Sequence, residues 1–384
     1  MARKVCVLVT ARPSYSRIKT ALHAIKQHAD LELQLVVAAS ALLDRYGMAV
    51  RDIEQDGFEI KTRVHMVLEG GNLAAMAKTT GLGMLELATV FDNLKPDVVV
   101  TVADRFETIA TAVAASYLNI PVAHVQGGEV TGSIDEKVRH AVTKLADLHF
   151  VASRNAAERV IRMGEDPATV HVTGCPSIDL AAEVLCHPEL DFDPLAKYGG
   201  VGEGLDLSDG YLVVMQHPVT TEYELSREHV FETLHAVRDI GMPTLWFWPN
   251  VDAGSDGTSG GLRTFREQEK PKNFQFFKNM VSRDFLRLLY NSSCLVGNSS
   301  VGIRECSFLG IPVVNIGSRQ QGRDRGVNVL DVDYDRRHIG LAIERHLGNG
   351  RYPQDTLYGD GRAGGRIAEL LSCSPLSISK RLMY

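Results

Sequence analysis

Two groups of residues have the types and spacing to do chemistry. The first lies between residues 104 and 140. An apolar run, Val98–Val102, ends in Ala103-Asp104-Arg105, and the next ends in His124-Val-Gln126-Gly-Gly-Glu129, with Asp135-Glu136-Lys-Val-Arg139-His140 shortly after. If both runs are strands of one parallel sheet, Asp104, His124, Glu129 and Asp135 converge on one edge. Carboxylates around a histidine can do general acid–base catalysis. A second reading stays open. Acidic residues at 135 and 136 also suit a helix N-terminus, where negative charge is favoured by ~0.3–1 kcal/mol, and a histidine at a strand end can be purely structural.

The second group could hold an anion. Leu295-Val-Gly297-Asn-Ser299-Ser300-Val-Gly-Ile-Arg-Glu305 reads as a strand ending at Gly297, a small polar turn, and a helix from about Ser300 to Leu309. Ser299 or Ser300 can cap that helix, Gly297 and Gly302 allow backbone to approach a ligand, and the helix dipole favours negative charge. A plain serine-capped helix is the alternative. Thr10-Ala-Arg12-Pro-Ser-Tyr-Ser16 puts Arg12 at the end of the first strand and Ser16 at the opening of the next helix, and Gly317-Ser-Arg319 follows another strand. Arginines so placed suit bidentate anion recognition, and together these segments point to a diphosphate. His217, in Gln216-His-Pro-Val-Thr-Thr-Glu222, can donate to a phosphate oxygen, and Asn250 is the polar member of the turn after Trp246-Phe-Trp-Pro. There is no P-loop motif, and the Thr10–Ser16 turn has no glycine for a dinucleotide fingerprint. The 13 histidines include no His-x-x-x-His, and no Cys/His group has ligand spacing; neither a metal nor a cofactor is expected.

These residues need elements to position them. Val5–Thr10, Leu33–Ala39, Asp97–Val102, Pro121–Val125, Leu148–Val151 and Val170–Val172 read as strands, with helical stretches Ser16–His28, Leu42–Gln55, Leu73–Leu94 and Arg105–Leu118 between them. After a Gly/Pro-rich stretch the alternation restarts with Tyr211–Met215, Thr244–Trp248, Phe274–Phe277, Cys294–Gly297 and Pro312–Asn315. Near-continuous apolar strands separated by helices mark parallel sheets covered on both faces. The fold expected is α/β, two Rossmann-like doubly wound domains facing across a cleft, with ligands at the strand C-termini. Residues 1–186 form the N-terminal domain with the acid–base residues, 187–210 a linker, 211–365 the anion-binding domain, and 366–384 a C-terminal helix and tail that packs back on the first domain.

Composition sets the outer limits. The 384 residues are 45% hydrophobic and 23% charged, which suits a soluble globular chain of two domains. A net charge of -6 argues against nucleic acid or an anionic membrane as partner. No apolar run reaches the roughly 20 residues needed to span a bilayer. The N-terminus reads as a strand rather than a signal peptide, and six scattered cysteines without a Cys-x-x-Cys pair suit reduced thiols in a cytoplasmic protein.

Taken together, the segments resemble the hydrolysing UDP-N-acetylglucosamine 2-epimerases of sialic acid and legionaminic acid biosynthesis, including the epimerase domain of the animal bifunctional enzyme. The resemblance lies in Arg12-x-x-Tyr-Ser16, Ala103-Asp-Arg-Phe106, His124-x-x-Gly-Gly-Glu129, Gly132-Ser-Ile-Asp135, Arg139-His-Ala-Val-Thr-Lys144, Gln216-His-Pro-Val-Thr-Thr221, Pro249-Asn-Val-Asp-Ala-Gly254, Gly297-Asn-Ser-Ser300, Arg304-Glu305, Gly317-Ser-Arg319 and Tyr358-Gly-Asp-Gly361, in order across nearly the whole chain. It implies a GT-B-like pair of domains. It also implies anti elimination of UDP to a 2-acetamidoglucal, followed by hydration to N-acetylmannosamine. Catalysis would fall to Asp104, Asp135, His124, Gln126, Glu129, Arg105 and Arg139. UDP would be held by Arg12, Ser16, His217, Asn250, Gly297, Ser299, Ser300, Glu305 and Arg319, the Glu305 carboxylate being able to take both ribose hydroxyls. The partner implied is a UDP-linked N-acetylamino sugar, and the assembly a homo-oligomer, dimer or tetramer.

One position departs from the pattern. Gln126 stands where the family carries a glutamate with an acid–base role, and relatives acting on 2,4-diacetamido-trideoxy sugars also lack that glutamate. A glutamine exchanges no proton at neutral pH, so Asp104, His124 or Asp135 carries the work, or Gln126 orients a hydroxyl or acetamido group. The alternatives are the same chemistry on UDP-2,4-diacetamido-2,4,6-trideoxyglucose, a GT-B glycosyltransferase, and an inactive UDP-sugar-binding protein. The non-hydrolysing branch has a His-x-Glu-Ala-Gly-Leu-Arg type of segment where this chain reads His124-Val-Gln-Gly-Gly-Glu129.

Overall fold

A computed structural model describes residues 2–69, 72–102, 105–131, 134–249 and 254–383. Two compact units emerge: Met1–Glu129 with Ile134–Leu180 and Tyr358–Tyr384, and Val130–Ser133 with Ala181–Leu357.

The first unit holds β1 (Arg3–Val9), β2 (Leu31–Ala38), β3 (Ile60–Val64), β4 (Val98–Val102), β5 (Val122–Val125), β6 (Leu148–Val151) and β7 (Val170–Val172), in the order β3-β2-β1-β4-β5-β6-β7. Every pairing is parallel. Alternate residues of β1 enter different cores: Val5, Val7 and Val9 pack with Ile18, Leu22 and Ile25, while Cys6 and Leu8 pack with Leu87 and Phe91. A strand buried on both faces is a near-continuous apolar run, so these runs are conspicuous in the sequence.

The second unit holds β8 (Val201–Gly202), β9 (Leu212–Met215), β10 (Thr244–Phe247), β11 (Phe274–Phe277), β12 (Cys294–Gly297), β13 (Val313–Ile316) and β14 (Val329–Val332), in the order β14-β13-β12-β9-β10-β11-β8. Only β8, among the described strands, runs antiparallel to its neighbour. Both sheets reverse strand order beside their first long strand, the arrangement that leaves a crevice outside the strand C-termini.

The structure departs from the sequence expectations at several points, among them a helix over Ala49–Gln55 where Leu42–Gln55 was expected. The helix expected over Ser16–His28 is two helices, Arg12–Ser16 and Lys19–Gln27. Pro13 sits in the first turn of the shorter one, a position that suits its fixed φ. Ser16 therefore closes the first helix and does not open the second. The stretch 187–210 is built into the second unit, with a helix Pro194–Tyr198 capped by Asp193 and a strand paired to β11. The chain also leaves the second unit after Leu357 rather than at 365. The Asp179 carboxylate accepts from the backbone N–H groups of Ala363 (2.8 Å) and Gly364 (2.7 Å) and from the Thr20 hydroxyl (2.8 Å). That cap fastens the helix Ala363–Cys373 to the first unit. The tail continues along the same unit, where Lys380 Nζ donates to the Ala146 carbonyl and to Glu165, and Met383 N donates to the Gly164 carbonyl.

Candidate functional site

Parallel pairing of β1, β4, β5 and β6 brings their C-terminal ends to one edge, so the loops holding Arg12, Arg105 and Gln126 share it. Asp104 and Asn250 lie outside the described residues. His124 is fully buried, and its Nδ1 lies 3.2 Å from the Thr143 hydroxyl. Gln126 extends the ladder by donating its N–H to the Phe150 carbonyl, then turns at φ 69. The left-handed region costs a residue with a Cβ about 1–2 kcal/mol and is tolerated where surrounding structure over-determines it. The Gln126 amide donates to the Cys175 thiol, which lies 2.9 Å from the Ser177 hydroxyl.

Arg139 draws this loop and the helix Asp135–Leu145 together. Fully buried, it donates from Nη1 to the Glu129 carbonyl (2.7 Å) and to Glu136 Oε2 (2.7 Å). Glu136 also takes His140 Nε2 at 2.7 Å. Its carboxylate is thereby engaged in helix-start pairing, one of the two readings open from the sequence. Asp135, the first residue of that helix, is half-buried. Arg105 is buried and donates from Nε to Glu107 Oε1 at 3.0 Å. Half-buried Arg12 heads its short helix beside β1. Burial lowers its pKa against the opposing pull of Asp52, and an arginine remains charged through any such shift.

In the second unit, one residue to which the sequence alone assigns no role organises the loops. Asn298, fully buried, accepts the His217 N–H at 2.7 Å and donates to the His217 carbonyl at 2.8 Å. Its own carbonyl takes Arg319 Nη1 at 3.2 Å and Gln320 Nε2 at 2.9 Å. It thus ties the ends of β9, β12 and β13 into one surface carrying His217 and Arg319. Its place inside Gly297-Asn-Ser-Ser300 was the available signal. Gly297 is needed for this closeness: at φ 132, a Cβ there would lie 2.2 Å from the Met215 carbonyl oxygen. A Cβ at Gly302 would meet Val313 at 2.9 Å. Both glycines therefore accommodate neighbouring protein.

Ser299 caps the helix Ser300–Ile303, and after a break at Arg304 the helix Glu305–Leu309 follows. Buried Arg304 donates to the Ser300 hydroxyl at 2.8 Å. Glu305 is 8% exposed, and its Oε2 is buried with no hydrogen-bond partner among the described residues. A carboxylate oxygen held out of water is costly unless a donor reaches it. Beyond β13 and β14 opens a depression of about 490 Å³ lined by Glu222, Ser318, Arg325 and Tyr334 among others. Burial, then the nearby Glu222, pushes the Tyr334 hydroxyl up to about 12. No cluster of three metal-ligating side chains occurs among the described residues, and no described helix is long and apolar enough to cross a membrane.

A family model described as UDP-N-acetylglucosamine 2-epimerase matches residues 23–372. The chain belongs to that family. It is a UDP-sugar 2-epimerase, similar at 32% identity over 377 residues, covering 98% of this chain and 97% of the relative, to the hydrolysing UDP-N,N'-diacetylbacillosamine 2-epimerase of Legionella pneumophila. It is 29% identical over 375 residues, 97% of this chain and 95% of the relative, to a UDP-N-acetylglucosamine 2-epimerase of Neisseria meningitidis. Among solved structures, the Neisseria meningitidis UDP-GlcNAc 2-epimerase bound to UDP-GlcNAc aligns with TM-score 0.79 at 15% identity, covering 96% of this chain and 99% of that one. That likeness bears on the fold, which is the GT-B-like α/β pair. In this 2-epimerase the first unit gathers a histidine, an amide and buried guanidinium groups on one sheet edge. The second unit gathers His217, Arg319, two serines and a carboxylate in need of donors.

Proposed function

We propose that the chain is a hydrolysing 2-epimerase that converts UDP-N-acetylglucosamine to N-acetylmannosamine and UDP. The reading is carried by Glu305. A buried carboxylate oxygen lacking a donor among the described residues fits the vicinal hydroxyls of a ribose, while Arg319, His217 and Ser299–Ser300 suit a diphosphate. In the first step a base removes the C2 proton, the C1–O bond breaks, and its electron pair leaves on UDP, giving the 2-acetamidoglucal. Water then adds its hydroxyl at C1 and a proton reaches C2 from the opposite face. Fixed positive charge on Arg12 and Arg319 matches the charge that grows on the departing diphosphate. Asp104 or Asp135 takes the C2 proton, help worth about 10²–10⁴-fold, with Arg105, Glu129 and Arg139 shaping the sugar pocket around His124 and Gln126.

A second substrate, UDP-2,4-diacetamido-2,4,6-trideoxyglucose, is favoured by Gln126. Its amide is engaged with Cys175, it cannot relay a proton, and it suits an additional acetamido group. The Legionella relative, named for a diacetamido sugar, supports the same choice. Each UDP-sugar would be incubated with the protein in heavy water. The expected products are UDP and a free 2-epimer carrying deuterium at C2, and the faster substrate decides between the two sugars. Release of UDP without deuterium at C2 from either sugar would overturn the reading.

A further inference from the structure

We infer that Thr143 is a positioning residue that fixes His124 as its Nε2-protonated tautomer, so that His124 serves the reaction as a hydrogen-bond donor and leaves the C2 proton to a carboxylate. The inference rests on the proposed function only for placing His124 beside the sugar; the tautomer is a property of the protein alone.

His124 and Thr143 are both fully buried, and the Thr143 hydroxyl has no partner other than His124 Nδ1 among the described residues. A threonine within a helix commonly gives its hydroxyl hydrogen to the carbonyl four residues earlier. Thr80, Thr233 and Thr264 do so here, toward Met76, His229 and Gly260. Thr143 does not. Its hydrogen must still be placed, because a buried donor without an acceptor is costly. Were Nδ1 protonated, the hydroxyl could only accept, and that hydrogen would be stranded. With the hydroxyl donating to Nδ1, the imidazole carries its proton on Nε2 and both groups are satisfied.

The surroundings hold the pair in register. A Cβ on Gly127 would sit 2.9 Å from both His124 Nδ1 and the Thr143 hydroxyl, so the loop after β5 lies directly on the contact. At the helix end, Lys380 Nζ donates to the Thr143 carbonyl at 3.4 Å. His149, the neighbour of His124 in the ladder, is fixed in a different way: its Nε2 faces Glu165 at 3.0 Å. Glu165, with its pKa near 2, can only accept, so His149 also carries a proton on Nε2 but presents it to a structural carboxylate.

The test combines spectroscopy with kinetics. In protein labelled with ¹⁵N-histidine, the His124 signals, identified by their loss in His124→Gln, should show a protonated Nε2, and Thr143→Val should remove that preference. A protonated Nδ1 in the wild-type protein overturns the inference whatever the substrate proves to be. Thr143→Val should lower kcat about tenfold with KM and UDP affinity unchanged, and Thr143→Ser should restore it. His124→Gln retains an N–H donor at the same reach, so it should keep C2 exchange that His124→Ala loses. Adding Thr143→Val to His124→Gln should have no further effect. Equal inactivity of His124→Gln and His124→Ala, in folded protein that still binds UDP, would make the histidine a proton acceptor and sink the proposal.

Discussion

The strand ends of the two units are organised differently. In the first, polar side chains pair with one another, His124 with Thr143, Gln126 with Cys175 and Arg105 with Glu107, although Glu107 Oε2 is itself buried with no partner among the described residues. In the second, the backbone is committed through Asn298, and a buried carboxylate oxygen on Glu305 has no donor among the described residues. Chemistry needs groups fixed before the transition state forms. Binding needs a rigid frame with capacity left for the ligand. The proposed function assigns the former to the first unit and the latter to the second.

Asp135→Asn is the strongest way to break this contrast. It should reduce kcat by roughly 10²–10⁴ with UDP affinity, measured calorimetrically, nearly unchanged, whereas Arg319→Ala or His217→Ala should weaken UDP itself. Similar loss of UDP affinity in both groups would erase the division of labour. Asn298→Ala removes its two bonds to the buried His217 N–H and carbonyl, so denaturant unfolding should show a loss of about 1–3 kcal/mol together with weaker UDP binding. Glu305→Gln should weaken UDP about tenfold, or ~1.4 kcal/mol, and weaken 2'-deoxy-UDP less, with folding stability retained. An equal loss for both nucleotides would mean that Glu305 does not meet the ribose.

The smallest effect concerns acid stability. Burial pushes the Glu165 carboxyl up, but hydrogen bonds from His149, Lys144 and Lys380 outweigh it and hold the group down at about 2. A depressed carboxyl stabilises the fold above its ordinary value of 4.5, and this contribution fades as pH falls from there toward 2. His149, lowered by burial in spite of its bond to Glu165, adds a loss that begins as pH falls through its ordinary 6.5. Glu165→Gln should therefore be less stable than wild type at pH 7, and the two unfolding curves should converge toward pH 2.

What the sequence disclosed follows burial. The central strands are near-continuous apolar runs, interrupted only by single polar residues such as Thr101, His124 and His149, so their positions were legible. The strands it missed, Ile60–Val64, Val201–Gly202 and Val329–Val332, are all sheet edges. Ile-Lys-Thr-Arg-Val needs to bury little beyond its last residue, so periodicity has little to register. The candidate site residues were nominated from single motifs. Asn298 was not, because its function depends on a loop 81 residues away, and Thr143 reads as an ordinary helix residue until the fold sets it against His124. The sequence reads Thr10–Ser16 as a turn, whereas the chain starts a helix at Arg12, whose first turn accepts Pro13 readily.

The return of the chain to the first unit after Leu357 has a consequence for biosynthesis. The Asp179 cap waits for Ala363, and the Glu165 cluster waits for Lys380. On a translating ribosome the first unit therefore has all seven strands by Val172 but gains these C-terminal partners only after the second unit, which ends at Leu357, has been made.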